Sequence, residues 1–226
     1  MATERGRFVT FEGVEGAGKS TQLELLLDWL RHRGVDPLVT REPGGTATAE
    51  QVRALLLDSA NTGIAPDAEL LLVFAARADH IAHWIEPALA AGRWVLCDRF
   101  TDATYAYQGG GRQLDWQRIA WLERFVQHGL EPDLTLLFDL PVREGLARAH
   151  ARSAMDRFER EDLAFFERVQ AAYQLLAEQH SDRIEVIPAD RPAAEIAADV
   201  RRCVSRRLLD ARLSDVRLSD ARLSDE

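Results

Sequence analysis

Short apolar runs alternate along the chain with longer segments of helical periodicity. Runs of the first kind are typical of buried strands, and the periodic segments are typical of amphipathic helices. The predicted strands are residues 7–13, 35–45 (breaking at the Pro-Gly-Gly of 43–45), 93–100, 132–140 and 183–189; the predicted helices include 20–34, 49–57 and 68–89. Strands separated by helices of this length form right-handed crossovers within a parallel sheet. The pattern therefore predicts an α/β fold, a doubly wound parallel sheet of about five strands with helices on both faces.

Polar residues and a glycine follow several of the predicted strands. Gly13, Arg41, Asp98 and Asp139 all lie at carboxyl ends of strands. In doubly wound sheets, ligands bind beyond these ends. We therefore expect a ligand site along this edge of the sheet.

The C-terminal residues follow a different pattern. Residues 211–225 read ARLSDVRLSDARLSD, a five-residue unit written three times with Ala or Val at its first position. A period of five matches neither a helix nor a strand, so no continuous apolar face forms. We predict one domain over residues 1–209 and a frayed helix end or disordered appendage over residues 210–226, with a partner-binding peptide as the alternative.

The composition excludes several classes of protein. The chain has 226 residues, 46% of them hydrophobic, and a net charge of −9. This charge argues against a general binder of nucleic acid or of acidic membranes, because nothing would attract phosphate groups over a distance. Two cysteines offer no disulfide framework, the N-terminus is polar, and no apolar run approaches the roughly 18–20 residues of a membrane span. We expect a cytoplasmic protein with no nucleic-acid or membrane partner.

Lys19 is the only lysine among 28 basic residues. It belongs to a G-x-x-x-x-G-K-[ST] motif that follows a predicted strand and opens a predicted helix, as a phosphate loop does. Backbone N–H groups of such a loop and the helix N-terminus bind phosphate oxygens. A compact ammonium fits beside the phosphates, whereas a planar guanidinium does not. The predicted ATP-binding residues are Gly13, Val14, Glu15, Gly16, Ala17, Gly18, Lys19, Ser20 and Thr21.

The same motif bears on the metal and on the nucleotide. Ser20 can ligate Mg²⁺ bound with ATP, and Asp98 at the neighbouring strand end can hold it through water. A GTPase switch reads guanine with an asparagine-lysine-x-aspartate loop, and the chain has no second lysine to build one. A GTP-dependent switch is therefore disfavoured.

Five stretches together carry a resemblance to a known family. They are FEGVEGAGKST (11–21), TREPGGT (40–46), LLLVFAARADH (70–80), CDRFTDATYAYQGGGR (97–112) and ARSAMDRFERED (151–162). In this order and spacing they resemble bacterial-type thymidylate kinases, and the resemblance runs from Phe8 to about Leu209. It implies the fold of nucleoside monophosphate kinases, transfer of the γ-phosphoryl group of ATP to dTMP, Mg²⁺ with ATP, and a homodimer.

The resemblance also implies an acceptor site. It assigns Arg99 to the dTMP phosphate, Thr104 and Gln108 to the pyrimidine edge, and Tyr107 to the deoxyribose, where an aromatic ring excludes a 2′-hydroxyl. The spacing i, i+3, i+4 places the last three on one helix face. From the residues alone, Asp98 and Arg99 could instead form a structural ion pair, and the helix face could pack into the core.

The resemblance assigns further residues to the dTMP site. Arg77 lies in an apolar helix, where a buried charge is costly unless it has a partner. The resemblance implies that Arg77 donates a hydrogen bond to a thymine carbonyl. Phe74 is assigned to stacking on the base, with Val73 as the alternative wall. Glu15, Glu42, Arg53 and Asp98 complete the predicted dTMP site. The resemblance gives Glu15 the sugar 3′-hydroxyl or a share in Mg²⁺ binding, and Arg53 could instead be a solvated helix charge.

A segment rich in arginine, residues 148–161, is predicted to be a lid. The resemblance assigns Arg157, with Arg152, to the charge of the transferring phosphoryl group; the alternative is a solvated basic face. With Lys19 and Arg99 these are the predicted catalytic residues. Two other functions stay open: a P-loop kinase for another nucleotide or deoxynucleoside, and a regulatory ATP-binding module, which would need no second pocket.

Overall fold

A computed structural model describes residues 4–61, 63–151 and 156–209. It contains one parallel sheet with strands β1 (Phe8–Glu12), β2 (Leu38–Arg41), β3 (Val95–Asp98), β4 (Leu134–Asp139) and β5 (Ile184–Pro188). The strand order is β2-β3-β1-β4-β5, and every neighbouring pair is parallel. The predicted five-stranded α/β fold is confirmed. The predicted tail over residues 210–226 lies outside the described residues, so the division at residue 209 stays a prediction.

Helices connect the strands and cover both faces of the sheet. They are α1 (Lys19–Arg31), α2 (Ala47–Leu57), α3 (Pro66–His80), α4 (Glu86–Ala90), α5 (Thr101–Thr104), α6 (Trp116–Gln127), α7 (Val142–His150), α8 (Leu163–Gln179) and α9 (Ala193–Val204). Wider π-helical turns follow α3, α5 and α9, at Ile81–Ile85, Tyr105–Gly111 and Ser205–Leu209.

The long helix predicted over residues 68–89 is interrupted. A wide turn at Ile81–Ile85 separates α3 from α4. Pro87, in the first turn of α4, has no N–H to donate to the carbonyl group of His83, so the regular bonding pattern cannot continue. Among the described residues, no helix is long and apolar enough to cross a membrane.

The central strand β1 explains why both faces are covered. All five of its residues are buried. Val9 and Phe11 pack in a core cluster with residues of α1, α8 and α9, whereas Phe8 packs with Ile85 and Leu89 in a second cluster. Because side chains alternate along a strand, β1 supplies both cores.

The register aligns the carboxyl ends of β1, β2 and β3. Phe11 of β1 and Arg41 of β2 both pair with Asp98 of β3. Gly13 follows directly after β1, and a cis peptide bond joins Glu42 to Pro43 after β2. The expected ligand edge is therefore formed by three adjacent strands.

Candidate active site

A cavity opens at this edge of the sheet and brings together residues from six segments of the chain. The predicted site residues that line it are Glu15, Gly16, Gly18, Lys19, Ser20, Glu42, Arg53, Arg77, Asp98, Arg99, Thr104, Tyr107 and Gln108. Six others do not line it: Gly13, Val14, Ala17, Thr21, Phe74 and Arg157. We call Lys19, Ser20, Asp98 and Arg99 the phosphate side of the cavity, and Glu42, Arg77, Thr104 and Gln108 the base side.

The phosphate loop takes the shape that its glycines allow. Gly16 and Gly18 have φ angles of 71° and 86°, which residues with a Cβ atom rarely adopt. A Cβ at Gly16 would also overlap the carbonyl oxygen of Gly145. The loop therefore packs closely on α7 and delivers the chain into α1 at Lys19.

Lys19 lies folded over its own loop. Its Nζ donates to the carbonyl oxygens of Gly13, 3.0 Å away, and Val14, 2.9 Å away. Burial lowers the pKa of Lys19, and the positive charge of Arg99 acts in the same direction. An anion entering the loop would relieve both costs, because it replaces lost solvation and separates two cations.

Ser20 and Asp98 meet next to the loop. The hydroxyl group of Ser20 donates to Oδ2 of Asp98 over 3.3 Å. A hydroxyl and a carboxylate are oxygen ligands of the kind that Mg²⁺ takes, with phosphate oxygens and water completing its shell. Among the described residues, no three His, Cys, Asp or Glu side chains form a metal site on their own. The pair thus fits a metal that arrives with a nucleotide.

Arg99 is held in place from several directions. It has a φ of 71°, an uncommon conformation for a residue with a side chain. Its guanidinium donates to Glu15 at 2.6 Å, to the Tyr107 hydroxyl at 3.0 Å and to the Gly13 carbonyl at 3.1 Å. Tyr107 also donates to Glu15 at 2.9 Å. Arg99 is thereby fixed beside the phosphate loop, with Glu15 as its counter-charge.

A buried carboxyl group behind Arg99 was not predicted. Glu12 accepts from the backbone N–H of Phe100 at 2.7 Å and from the hydroxyl of Tyr173 at 2.7 Å. Tyr173 in turn accepts from Arg99 at 3.2 Å. Glu12 thereby braces the turn that carries Arg99. In the sequence Glu12 is one residue of a predicted apolar strand. A charged residue in such a strand indicates a buried partner, and that signal could have identified it.

Arg77 is the centre of the base side. It is 1% exposed, its Nε donates to Glu42 at 2.8 Å, and its Nη2 donates to Thr104 at 2.9 Å. Its Nη1 is buried and has no hydrogen-bond partner in the described part of the chain. A buried guanidinium N–H without an acceptor is costly. Since Arg77 lines the cavity, this N–H is suited to a ligand oxygen.

A second layer fixes Glu42, and with it Arg77. Burial alone would raise the pKa of Glu42, but the charge of Arg77 and a hydrogen bond from His80 hold it below its usual value. The His80 ring lies 3.0 Å from Glu42 through Nδ1 and 2.7 Å from Thr40 through Nε2. A Cβ at Gly45 would lie 2.5 Å from that ring, so the glycine permits this packing.

The structure distinguishes between the two candidates for the apolar wall. Val73 lines the cavity. Phe74 is 2% exposed, packs with Leu70 and Ile119, and lies 4.9 Å from the Arg77 guanidinium. Val73 therefore faces the cavity, whereas Phe74 packs in the core next to Arg77, and the contact of either residue with a base stays a prediction. Phe158, a cavity-lining aromatic that was not predicted, belongs to the segment that the sequence predicts to be a lid.

Arg157 lies away from the phosphate side. Its guanidinium pairs with Glu69 at 2.7 Å and donates to the Leu56 carbonyl at 2.6 Å. Its expected place over the transferring phosphoryl group is therefore not the one seen here, and that role stays a prediction. Arg152, its predicted companion, lies outside the described residues.

Arg53 and Arg41 add positive charge to the cavity. Arg53 lines it and donates to the carbonyl of Pro43 at 2.9 Å. Burial lowers the pKa of Arg53, and neighbouring Arg41 adds to this. Arg41, which was not predicted as a site residue, also lines the cavity and pairs with Glu50.

A phosphate loop and a set of buried polar groups that line the same cavity, on one five-stranded parallel sheet, define a P-loop nucleoside monophosphate kinase. The family model described as thymidylate kinase matches residues 11–200, and the chain belongs to the thymidylate kinase family.

Relatives and a solved structure agree with this assignment. The chain is 59% identical over 195 residues to the thymidylate kinase of Ectopseudomonas mendocina (strain ymp), covering 86% of this chain and 93% of that relative. It is 56% identical over 196 residues to that of Chromobacterium violaceum, covering 87% and 92%. The crystal structure of thymidylate kinase from Ehrlichia chaffeensis is similar with a TM-score of 0.73 at 32% identity, covering 89% of this chain and 99% of that one.

Proposed function

We propose that the protein transfers the γ-phosphoryl group of ATP to dTMP, producing ADP and dTDP. The observation that carries the choice of acceptor is the buried, unpartnered Nη1 of Arg77 in the wall of the same cavity that holds the phosphate loop. It is a donor placed for a carbonyl oxygen of a base. Membership of the thymidylate kinase family supports the same acceptor.

On the phosphate side, Lys19 would turn from the carbonyl oxygens of its loop to the β- and γ-phosphates of ATP. An ammonium has three donors, so it can reach phosphate oxygens with little loss of contacts. The backbone N–H groups of the phosphate loop, from Gly13 to Thr21, would hold the rest of the triphosphate.

Ser20 and Asp98 would hold Mg²⁺ together with the ATP phosphates. When bound, the ion neutralises charge that develops on the phosphoryl oxygens. The contribution of the chain is to place Ser20 at the first turn of α1 and Asp98 at the end of β3, 3.3 Å apart through their oxygens.

Arg99 would bind the phosphate of dTMP. Its guanidinium already lies beside the phosphate loop, and an arginine can contact a phosphate through two N–H groups at once. Glu15 and Tyr107 contact Arg99 and each other, and would face the sugar. Glu15 would accept from the 3′-hydroxyl, and Tyr107 would fill the space of a 2′-hydroxyl. Arg53 and Arg41 add positive charge for the same phosphate.

Arg157, with Arg152, would stabilise the transferring phosphoryl group after the lid closes. This requires Arg157 to leave Glu69, its present partner. The proposal thus includes a movement of the segment around residues 148–161 when ATP binds. Catalysis then consists of positioning and charge stabilisation, without a protein nucleophile.

We further propose that the protein is a homodimer. Leu71 on α3 and Trp121 and Phe125 on α6 are each more than half exposed, and the two aromatic rings stack at 5.4 Å. The two helices pack against each other. Light scattering of Trp121→Glu should report monomers, with Leu175→Glu on α8 as the control; an unchanged mass would contradict this interface.

The function is tested by ADP release with dTMP, dUMP, dCMP, UMP, AMP and GMP. We expect dTMP to give the highest kcat/KM. The methyl group of thymine adds about 1 kcal/mol of apolar contact, so dUMP should be weaker but not excluded. UMP should be weaker than dUMP because of Tyr107. A higher kcat/KM for any other nucleotide would contradict the proposal.

A further inference from the structure

Glu69 is a fully buried carboxylate to which the mechanism above gives no role beyond its pairing with Arg157. It lies in the first turn of α3, two turns before Arg77, and is 0% exposed. It does not line the cavity. A buried charge at this position must be compensated, and its partners indicate what it does.

The partners of Glu69 come from both the base side and the lid. Its Oε1 accepts from Nε2 of Gln108 at 2.9 Å and from Nε of Arg112 at 3.2 Å. Its Oε2 lies 2.7 Å from the guanidinium of Arg157. Two arginines therefore balance the carboxylate, and the remaining contact is to a residue that lines the cavity.

A carboxylate can only accept, so it determines which end of the Gln108 amide faces it. The NH₂ group must turn toward Glu69. The amide oxygen of Gln108 accepts no hydrogen bond from the described residues. It is therefore the polar atom that Gln108 can present to the cavity.

With Arg77, this orientation gives the base side a donor and an acceptor, beside the hydroxyl group of Thr104 that accepts from Arg77. Nη1 of Arg77 can donate to an exocyclic carbonyl, and the Gln108 oxygen can accept from a neighbouring ring N–H. Thymine and uracil carry that pair of groups. Cytosine carries an amino group and an unprotonated ring nitrogen at the same positions, so it would meet two mismatches.

We propose that Glu69 is a positioning residue for base choice, which excludes cytosine nucleotides by fixing the orientation of the Gln108 amide. This inference rests on the proposed function, since it assumes that the base of the acceptor contacts Gln108. It assigns Glu69 no contact with substrate.

The experiment measures kcat/KM for dTMP, dUMP and dCMP, with dCMP supplied at high concentration. In Glu69→Gln the residue can offer either an oxygen or an NH₂ group, so Gln108 can turn. We expect the dTMP/dCMP ratio to fall about tenfold, which is one hydrogen bond converted at 1.4 kcal/mol per factor of ten. The dTMP/dUMP ratio should stay unchanged, because both bases present the same pair.

Two further variants separate this effect from others. Glu161→Gln removes another carboxylate of Arg112, 2.6 Å away, and should leave both ratios unchanged. In Glu69→Asp the shorter side chain keeps a negative charge near the arginines, but its carboxylate no longer reaches the Gln108 amide. This variant should retain the melting temperature better than Glu69→Gln while lowering the dTMP/dCMP ratio.

A change in the lid affects dTMP and dCMP alike, so it cancels in the ratio of their kcat/KM values. Loss of the Arg157 contact would change kcat for dTMP and dCMP by the same factor. If folded Glu69→Gln and Glu69→Asp lower both activities equally and leave dTMP/dCMP unchanged, Glu69 is structural and the inference is overturned. Failure of the proposed function would appear separately, as a wild-type protein that does not prefer dTMP.

Discussion

The phosphate side and the base side of the cavity are built in different ways. Lys19 is held by carbonyl oxygens five and six residues away in its own loop. Arg77 is held by Glu42, 35 residues away, and by Thr104, 27 residues away. The contacts of Lys19 therefore lie within one contiguous loop, whereas those of Arg77 require the fold to bring together two helices and a strand end.

The two sides also differ in how their charges are compensated. Lys19 has only carbonyl oxygens as hydrogen-bond partners in the described chain, and burial lowers its pKa. Arg77 has a buried carboxylate that His80 holds in position. The ammonium group of Lys19 is thus suited to an incoming anion. The charge of Arg77 is already paired with Glu42, and its Nη1 remains as a donor for the ligand.

The largest expected effect concerns the phosphate side alone. Lys19→Arg keeps the charge and changes only its shape, and we expect kcat to fall by about 100- to 1000-fold. Melting temperature and the calorimetric Kd for dTMP should remain near wild type, because the base side is built separately. Ordinary turnover in the Lys19→Arg protein would remove our account of the lone lysine.

The next largest effect concerns Arg157, in the predicted lid, which adds a third region to the comparison of the phosphate and base sides. Arg157→Ala should lower kcat far more than it changes KM for dTMP, as expected for a contact made mainly in the transition state. Arg160→Ala, at an exposed position in the same segment, serves as the control in initial-rate measurements. A change in KM alone would make Arg157 a ground-state binding residue.

A smaller effect concerns the brace behind Arg99. Burial, aided by the charge of Asp102, raises the pKa of Glu12 from 4.5 to about 8. Between these values the folded protein keeps a proton that the unfolded chain releases. The stabilisation is therefore complete below pH 4.5 and is lost as the pH rises through about 8.

Glu12→Gln removes this titration and keeps the shape. Urea unfolding from pH 5 to 9 should show the variant becoming progressively more stable relative to wild type as the pH rises. A difference in unfolding free energy that does not depend on pH would show that Glu12 is ionised throughout.

The sequence predicted the five strands and the phosphate loop because both are local patterns. It also placed Glu42, Arg77, Thr104 and Gln108 together, but only through the family resemblance. It missed Glu69 and His80, whose partners are remote in sequence. Glu69 carries the same signal as Arg77, a charge in the apolar stripe of α3, eight residues earlier on a similar face.

Two further differences have local physical causes. Phe74 and Val73 are adjacent on α3, so a shift of one position, about 100° of helix rotation, exchanges the cavity wall for the core. Arg157, in the segment predicted to be a lid, pairs with the buried carboxylate of Glu69, which periodicity cannot identify as its partner. Neither contact could be predicted without the packing of α3 against its neighbours.

The central claim is that the free N–H of Arg77 reads the base independently of the phosphate loop. A charged donor to a buried carbonyl contributes about 1.5–3 kcal/mol, so Arg77→Ala should lower kcat/KM for dTMP roughly 10- to 100-fold. The KM for ATP, measured in the same assay at saturating dTMP, should change less than about twofold. Unchanged dTMP kinetics in a folded Arg77→Ala protein, or equal losses for both substrates, would contradict the account.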